Sequence, residues 1–335
     1  MTIEKTYTKI GQFSNVIKFA ASRKPPITKI IPYLGTIKLH GTNAGIWFDT
    51  TTREFRCLSR NRLLDITSDN YGFANFIHSI DRQIILDIFD YLAKHATTKR
   101  YLTIYGEWCG QGIQDGVAIS QLPKRFVVFS GAAFNNADSS TSWFESDILK
   151  HISYPSLSIY NIYGLPTYTI DIDFANPALI TNTLVDLTAQ VEAQCPAGQA
   201  WGVTGTGEGI VWKPLRESEY TSDMWFKTKG QAHSVSKVKT LKEVDTELIL
   251  QLNAFAEAVL LEPRLLQAIE FLKEMNLPIS RQSTAEFLRW IINDIHTEET
   301  DTIKTNQYNL KQLNGLLSTR AREWFFSYIN NQYVV

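Results

Sequence analysis

The chain has 335 residues, of which 44% are hydrophobic, 12% aromatic and 20% charged, a composition that excludes an intrinsically disordered protein. This length allows one large domain with a smaller one. The net charge of −1 excludes a globally basic protein, so any surface for nucleic acid must come from local clustering of charge.

The cysteines and the apolar runs exclude other classes. Cys57, Cys109 and Cys195 form neither a CxxC pair nor a Cys/His cluster, so we expect no zinc site and no disulfide framework. No stretch reaches the roughly 20 apolar residues that cross a bilayer, and the first residues lack an apolar signal core. We therefore expect a cytoplasmic protein with no membrane partner. We also expect a monomer.

Short strand-like segments dominate from about residue 31 to residue 240. They are rich in β-branched and aromatic residues and are bounded by Gly, Pro, Asn or Thr. The predicted strands cover residues 33–39, 45–49, 102–106, 125–129 and 209–213. Between them, apolar residues recur every three or four positions from 77 to 92, which predicts a helix over residues 73–95.

Beyond about residue 240 the apolar spacing becomes helical. Leu248, Leu252, Phe255 and Val259 form one face, and further helices are predicted after Pro263 and around residues 310–329. A capping box is predicted at residues 283 and 286, where Ser is followed three positions later by Glu. We therefore predict an α+β domain over residues 1–240 and an all-helical domain over residues 241–335.

Lys38 lies between Ile37 and Leu39 in a predicted strand. Strand alternation places Lys38 and His40 on one face and the two apolar residues on the other. Taken alone, such a lysine is usually a surface residue. A nucleophilic lysine needs a neutral amine, so its pKa must fall from about 10.4 by roughly three units, on the order of 4 kcal/mol. Partial burial and neighbouring cations can lower the pKa in this way.

Five further segments follow the lysine segment KLHGTN (38–43) in a fixed order. They read CLSR (57–60), YGEWCGQGIQ (105–114), FVVF (126–129), EGIVWK (208–213) and WFKTK (225–229). Together the six segments resemble the ordered motifs of the covalent nucleotidyltransferases, which include polynucleotide ligases and capping enzymes. Each segment alone would be weak, but six in order over about 190 residues favour this superfamily.

Within that superfamily the chain resembles phage RNA ligase 2 and the trypanosome editing ligases most. His40, two positions after the lysine, and the GxGIQ tail of the glutamate motif are similar to that family, and so is the helical tail. The resemblance implies an α+β nucleotidyltransferase (ATP-grasp-like ligase) domain of antiparallel sheets with flanking helices, followed by a small all-helical domain. It also implies an ATP-dependent RNA ligase that joins 3′-hydroxyl and 5′-phosphate ends, at nicks in RNA-containing duplexes, through a lysyl-AMP intermediate.

The resemblance implies a role for each motif residue. Lys38 would attack the α-phosphorus of ATP and carry AMP covalently. Lys227 and Lys229 would contact the α-phosphate and lower the pKa of Lys38. Glu107 would hold a ribose hydroxyl, and Phe129 would stack on the adenine.

The remaining motif residues have less specific expected roles. Glu208 would bind Mg²⁺, with Mn²⁺ as an alternative, or hold the attacking lysine in place. His40 and Asn43 would engage the triphosphate or an ion, or else only stabilise a turn by hydrogen bonding. Arg60 would contact the nucleotide or the nucleic-acid end. Ile37 would contact the nucleotide beside the lysine.

Two segments depart from the family pattern. The first is SRNR (59–62), which differs from the Lys-Arg-Thr-Gly form of phage RNA ligase 2, so Arg62 could share or replace the role of Arg60. The second is the fifth motif, which begins with Trp-Phe instead of small aliphatic residues.

Residues 227–242 carry five lysines and no acidic residue, which fits either a solvated linker or a path for a phosphate backbone.

Three alternative functions stay open. The first is a ligase that prefers DNA or RNA–DNA hybrid nicks, because the motifs build the adenylate site and say little about the sugar. The second is a nick-binding or end-binding module that does not ligate, against which the complete set of motif residues counts. The third is a GTP-dependent capping enzyme, against which His40 and the helical tail count.

Overall fold

The computed structural model describes residues 6–136, 141–230 and 248–332. The chain divides into two compact units, Met1–Ala232 and His233–Val335. The predicted domain boundary between residues 240 and 241 lies outside the described residues, as does the lysine-rich segment after residue 230. Among the helices in the described ranges, none is both long and apolar enough to span a membrane.

The first unit is built on two sheets. Its strands are β1 (Ile30–Lys38), β2 (Thr42–Asp49), β3 (Glu54–Ser59), β4 (Leu63–Leu64), β5 (Tyr101–Cys109), β6 (Arg125–Phe134), β7 (Ser142–Trp143), β8 (Ile159–Asn161), β9 (Thr167–Asp173), β10 (Gly209–Pro214) and β11 (Phe226–Lys229). The first sheet has the order β11-β10-β1-β9. The second has the order β4-β3-β2-β5-β6-β7, with β8 parallel to β6. All other pairings between these named strands are antiparallel, which confirms the predicted antiparallel α+β architecture.

Helices flank these sheets. They are α1 (Phe13–Ser22), α2 (Phe73–Ser79), α3 (Arg82–Ala93), α4 (Ser146–Leu149), α5 (Thr181–Ala193) and α6 (Pro196–Ala200). The predicted single helix over residues 73–95 is wrong, because Ile80 is extended, with φ −79° and ψ 142°. Asp81 then accepts a hydrogen bond from the backbone N–H of Gln83 at 2.9 Å and begins a second helix.

One face of the first sheet is buried against helices. Ile31, Tyr33 and Ile37 alternate along β1 and share a hydrophobic core with Val16 of α1 and Leu184 of α5. The second sheet has its own core, formed with α2 and α3. The two cores fix both sheets, so the side chains of β1 that point away from the α1 and α5 helices are held in defined positions.

The second unit is all-helical in its described part. It consists of α7 (Leu248–Val259), α8 (Glu262–Glu274), α9 (Thr284–Glu298), α10 (Thr300–Thr305) and α11 (Leu310–Gln332) around one hydrophobic core. The predicted capping box at Ser283 is wrong, because its hydroxyl donates to the carbonyl of Pro278 at 2.7 Å. Leu310, the first residue of the last predicted helix, is 51% exposed. The side chain of Leu248, from the first predicted apolar face, lies outside the described residues.

Candidate active site

Lys38 is the last residue of β1, at the centre of the first sheet. It lies opposite Gly209 of β10, and Gly209 lies opposite Lys229 of β11. Residues directly opposite each other in an antiparallel pair share a face, so the side chains of Lys38 and Lys229 emerge on the same side. Gly209 has φ +146°, and a Cβ there would lie 2.1 Å from the carbonyl oxygen of Thr228. Only glycine therefore fits between the two lysine-bearing strands.

Glu208 lies among three basic side chains and is 2% exposed. Its Oε2 is 2.5 Å from Lys38 Nζ and 3.3 Å from His40 Nδ1, and its Oε1 is 3.1 Å from Lys229 Nζ. Burial alone would raise the pKa of Glu208, but Lys38, Lys229 and His40 together hold it well below its usual range. Glu208 therefore stays ionised, so it orients the Lys38 amine and is a weak acceptor for its proton.

The structure shows the alternation predicted around Lys38. Ile37 and Leu39 are 2% and 5% exposed, whereas Lys38 and His40 both reach Glu208. Because the side chain of Ile37 packs in the core on the opposite face, a contact between Ile37 and a nucleotide would have to use its backbone.

Glu107 approaches the lysine motif from the second sheet. It lies on β5 opposite Asn43 of β2, and its Oε1 accepts a hydrogen bond from the backbone N–H of Gly41 at 3.0 Å. A Cβ at Gly41 would lie 2.4 Å from the carbonyl oxygen of Trp108, so the glycine permits this close approach. Burial raises the pKa of Glu107 to about 7, with Lys38 opposing the rise. Asn43 shares the face of Glu107 and is partly buried.

Phe129 is the extra residue of a β-bulge. Tyr105 pairs with Ser130 and Gly106 pairs with Val128, which leaves Phe129 between them without a partner in the β5–β6 ladder. A bulge re-aims the side chain that it carries. The Phe129 ring is partly buried, with its centroid 4.9 Å from that of Tyr7. Two other residues of the same motif on β6, Phe126 and Val128, are core residues, since both are 0% exposed.

Lys227 and Lys229 lie on the same face of β11. Lys227 is opposite Val211, it is partly buried, and its backbone N–H donates to the carbonyl of Gly11 at 3.0 Å. Thr228, between the two lysines, points to the other face, where its hydroxyl lies 2.6 Å from that of Thr188 on α5. Both lysines therefore emerge on the face that carries Lys38.

The two arginines of the second motif have different environments. Arg62 Nη1 donates to the carbonyl and the hydroxyl of Ser68 at 2.8 and 2.9 Å, and Nη2 donates to the carbonyl of Asp69 at 3.0 Å. Arg62, in the turn between β3 and β4, thus holds the loop that follows β4. Arg60 is exposed to solvent. The structure therefore favours Arg60 over Arg62 as the arginine that contacts a ligand.

The structure contains a buried ion pair beside Phe129 that was not predicted from the sequence. Lys213 and Glu217 are 5% and 2% exposed, with 3.0 Å between Lys213 Nζ and Glu217 Oε2. Lys213 Nζ also donates to the carbonyl of Phe129 at 3.1 Å. Alternation along β10 from Gly209 assigns Lys213 to the Lys38 face, and this is the signal that could have found it.

The donor set suits a magnesium ion that is held mainly by a substrate. Within the described residues, no group of three or more His, Cys, Asp or Glu side chains could hold a metal by itself. Mg²⁺ commonly binds one or two carboxylates and completes its shell with phosphate oxygens and water. Glu208 fits this pattern, although an ion there would compete with Lys38 and Lys229 for the carboxylate oxygens.

Comparisons with known proteins give a family and distant structural relatives. No curated protein matches the chain. An RNA ligase of Naegleria gruberi with pyrophosphate is 16% identical at a TM-score of 0.45, over 70% of this chain and 58% of that one. A variant of the same enzyme with ATP and Mn is 15% identical, with the same TM-score and coverage. The chain thus spans about 58% of the length of these ligases. The model of the RNA ligase family matches residues 31–229, more than half of the sequence, so the chain belongs to the RNA ligase family.

Proposed function

We propose that this chain is an ATP-dependent RNA ligase that works through AMP bound covalently to Lys38. The observation that carries the proposal is the arrangement at the end of β1, where Lys38 and Lys229 bind the two oxygens of the buried Glu208 carboxylate. Such an arrangement fixes the direction of the Lys38 amine. It also supplies a second cation for a phosphate. Catalysis of phosphoryl transfer depends mainly on this kind of positioning and charge stabilisation.

The first step would transfer AMP from ATP to the enzyme. The neutral amine of Lys38, having lost its proton to solvent, attacks the α-phosphorus. A nitrogen–phosphorus bond forms, and the bond to pyrophosphate breaks. Lys229 and Lys227, on the same face as Lys38, would stabilise the charge on the α-phosphate oxygens.

The nucleotide would lie between the two sheets. Glu107, from β5, would accept a hydrogen bond from a ribose hydroxyl, and the bulged Phe129 would stack on the adenine. Asn43, opposite Glu107, and His40, beside Glu208, would engage the triphosphate. Glu208 together with phosphate oxygens would hold Mg²⁺ or Mn²⁺, which neutralises phosphate charge when bound.

The next two steps would act on nucleic acid. AMP moves from Lys38 to the 5′-phosphate of one end, and the 3′-hydroxyl of the other end then attacks that phosphate and releases AMP. The exposed guanidinium of Arg60 is suited to the 5′-phosphate, because its planar fork matches phosphate oxygens. The proposed substrate is a nick in a duplex that contains RNA.

Labelling with ATP tests the first step. The enzyme is incubated with α-labelled ATP and Mg²⁺, and protein-bound AMP is measured for the wild type, Lys38→Ala and Lys94→Ala, the last an exposed lysine on the surface of the same unit. We expect label on the wild type and Lys94→Ala and none on Lys38→Ala. An unlabelled wild type, or label that survives in Lys38→Ala, overturns the proposal. Label from GTP in place of ATP would indicate a capping enzyme.

Sealing assays test the substrate. Nicked duplexes with RNA or DNA on each side of the nick are compared with free single strands of the same sequence. We expect the nicked duplex with an RNA 3′-hydroxyl to be sealed fastest. Equal sealing of loose single strands contradicts nick sealing, and faster sealing of an all-DNA nick contradicts the assignment of RNA as the substrate.

A further inference from the structure

Two side chains from outside β6 converge on the backbone carbonyl of Phe129. Lys213 Nζ of β10 donates to this oxygen at 3.1 Å, and Tyr163 Oη lies 3.2 Å from it. Phe129 is the bulge residue between Val128 and Ser130, so the β5–β6 ladder does not supply a partner for it. A backbone carbonyl without a partner in the ladder needs another hydrogen-bond donor, and Lys213 Nζ supplies it.

Glu217 contacts both side chains. Its Oε2 lies 3.0 Å from Lys213 Nζ, and its Oε1 accepts from Tyr163 Oη at 2.9 Å. The backbone N–H of Glu217 in turn donates to Glu145 Oε2 at 3.1 Å, which fixes the short 3₁₀ turn that carries Glu217. The carboxylate thus orients the Lys213 ammonium group toward the Phe129 carbonyl, and the Tyr163 hydroxyl holds the carboxylate from its other side.

The ion pair contributes little to folding by comparison with an apolar pair. Lys213 and Glu217 are almost fully buried, and burial lowers the pKa of Lys213 and raises that of Glu217. Because charges lose hydration on burial, replacing a buried ion pair by apolar residues of similar volume is often neutral or stabilising. The ammonium group also lies 4.4 Å from the centroid of the Trp225 ring, which fixes its direction further.

We propose that Tyr163, Lys213 and Glu217 are positioning residues that fix the bulged backbone at Phe129 and so set the ring against which the nucleotide base stacks. The inference rests on the proposed function, in which Phe129 is the base-stacking residue. The three residues act through Phe129 and do not touch the reacting atoms. Their loss should weaken nucleotide binding and leave the transfer to Lys38 nearly unchanged.

The first test uses Tyr163→Phe, which keeps the ring and removes only the hydroxyl. We expect the KM for ATP in Lys38 adenylylation to rise about two- to tenfold, the effect of one lost hydrogen bond, with kcat changed less than about twofold. Tyr91→Phe is the matched control, because the Tyr91 hydroxyl donates to the carbonyl of Ile148 at 3.0 Å, away from Phe129. This control should leave the KM unchanged.

A double-mutant comparison shows whether the effect passes through Phe129. In a Phe129→Leu background, the same Tyr163→Phe change should have no further effect on the KM for ATP. An equal rise in both backgrounds overturns the inference, because Tyr163 would then act elsewhere. If the wild type is labelled by ATP but Tyr163→Phe has the wild-type KM for ATP, the inference is overturned and the proposed function stands.

A second variant covers the case in which Tyr163→Phe folds poorly. Lys213→Met combined with Glu217→Met removes the donor and its counter-charge together, which buried ion pairs often tolerate. We expect a similar rise in the KM for ATP, with kcat kept within about twofold. An unchanged KM in this folded double variant overturns the inference. A wild type that takes no label from ATP overturns the proposed function and this inference with it.

Discussion

The carboxylate of Glu107 accepts a hydrogen bond from the backbone N–H of Gly41 at 3.0 Å. Gly41 follows Lys38 by three residues, so this bond joins the glutamate motif on β5 to the turn after Lys38. The same carboxylate is the proposed acceptor for a ribose hydroxyl. The protonation of Glu107 therefore affects both the turn and the nucleotide.

The affinity for nucleotide should depend on pH through Glu107. Burial raises its pKa from 4.5 to about 7, so the ionised fraction of the carboxyl increases as the pH rises from 6 to 8. Only the ionised form is purely a hydrogen-bond acceptor. We expect an ATP analogue with a methylene bridge between the α- and β-phosphates to bind more tightly as the pH rises from 6 to 8. Calorimetry at each pH would measure the Kd.

Glu107→Gln is the control for this pH dependence. The analogue's own phosphates titrate equally with both proteins, so only the difference between wild type and Glu107→Gln reports on Glu107. The contribution of Glu107 to the free energy of unfolding should fall over a pH range in which the affinity for nucleotide rises. Since the folded state holds the proton more tightly, the contribution of Glu107 to stability falls as the pH rises from 4.5 toward 7. If the Kd of the analogue changed with pH in the same way for wild type and Glu107→Gln, Glu107 would not be the group that causes the pH dependence.

Gly209→Ala should disrupt the sheet at the site. Gly209 has φ +146°, and its new Cβ would lie 2.1 Å from the carbonyl oxygen of Thr228. We expect the free energy of unfolding to fall by more than about 2 kcal/mol, with adenylylation lost, because β11 carries Lys227 and Lys229. Urea unfolding and ATP labelling would measure the two effects.

Alanine substitutions at two other glycines distinguish the steric clash expected at Gly209 from the strain of a positive φ. Gly72 has φ +83°, but a Cβ there would have open space within 4 Å, so Gly72→Ala should cost only the strain, about 1–2 kcal/mol. Gly164 has open space and no positive φ, so Gly164→Ala should change stability by less than about 0.5 kcal/mol. A Gly209→Ala protein as stable as Gly164→Ala would contradict the close packing of β10 on β11.

Glu208→Gln should lower the rate of adenylylation about 100-fold, because a misplaced nucleophile costs about that much. The change keeps the shape of the side chain but removes the charge that holds Lys38 Nζ at 2.5 Å and Lys229 Nζ at 3.1 Å. Single-turnover labelling at saturating ATP would measure the rate. Glu219→Gln, an exposed glutamate in the same unit, is the control. A rate within about threefold of the wild type would remove Glu208 from the positioning of Lys38.

Much of the site could be predicted from the order of motifs. Lys38, Glu107 and Glu208 were each singled out, and the structure brings them together because the end of β1 pairs with the start of β10, and the end of β5 lies beside the turn after β1. The alternation of Lys38 with Ile37 also followed from strand geometry alone. These features depend on local sequence and regular strands, which a sequence displays directly.

Other features depend on pairing between distant segments. The bulge at Phe129 arises from the register of β6 on β5, which the sequence of β6 alone does not encode. The buried pair of Lys213 and Glu217 needs the carbonyl of Phe129 from the other sheet. The helix break at Ile80 was missed because the apolar spacing continues through it, while Asp81 starts a new helix.

Substitution of the two arginines should separate structure from ligand contact. Arg62→Ala removes donors to Ser68 and Asp69, so it should lower the free energy of unfolding by about 1–3 kcal/mol. Arg60→Ala removes an exposed side chain and should change stability by less than about 0.5 kcal/mol. Urea unfolding of both variants would measure this difference.

Arg60→Ala should instead weaken the binding of nicked nucleic acid while AMP labelling of Lys38 stays near the wild-type level. Because one phosphate contact is lost, the slope of log affinity against log salt should become shallower by about 0.7–0.9. Binding to a nicked duplex at several salt concentrations would measure the slope. Arg56→Ala, on the strand that precedes Arg60, is the control, since Arg56 lies over the Trp47 ring. If labelling by ATP falls and the slope does not change, Arg60 contacts the nucleotide, because the defect then precedes any encounter with nucleic acid.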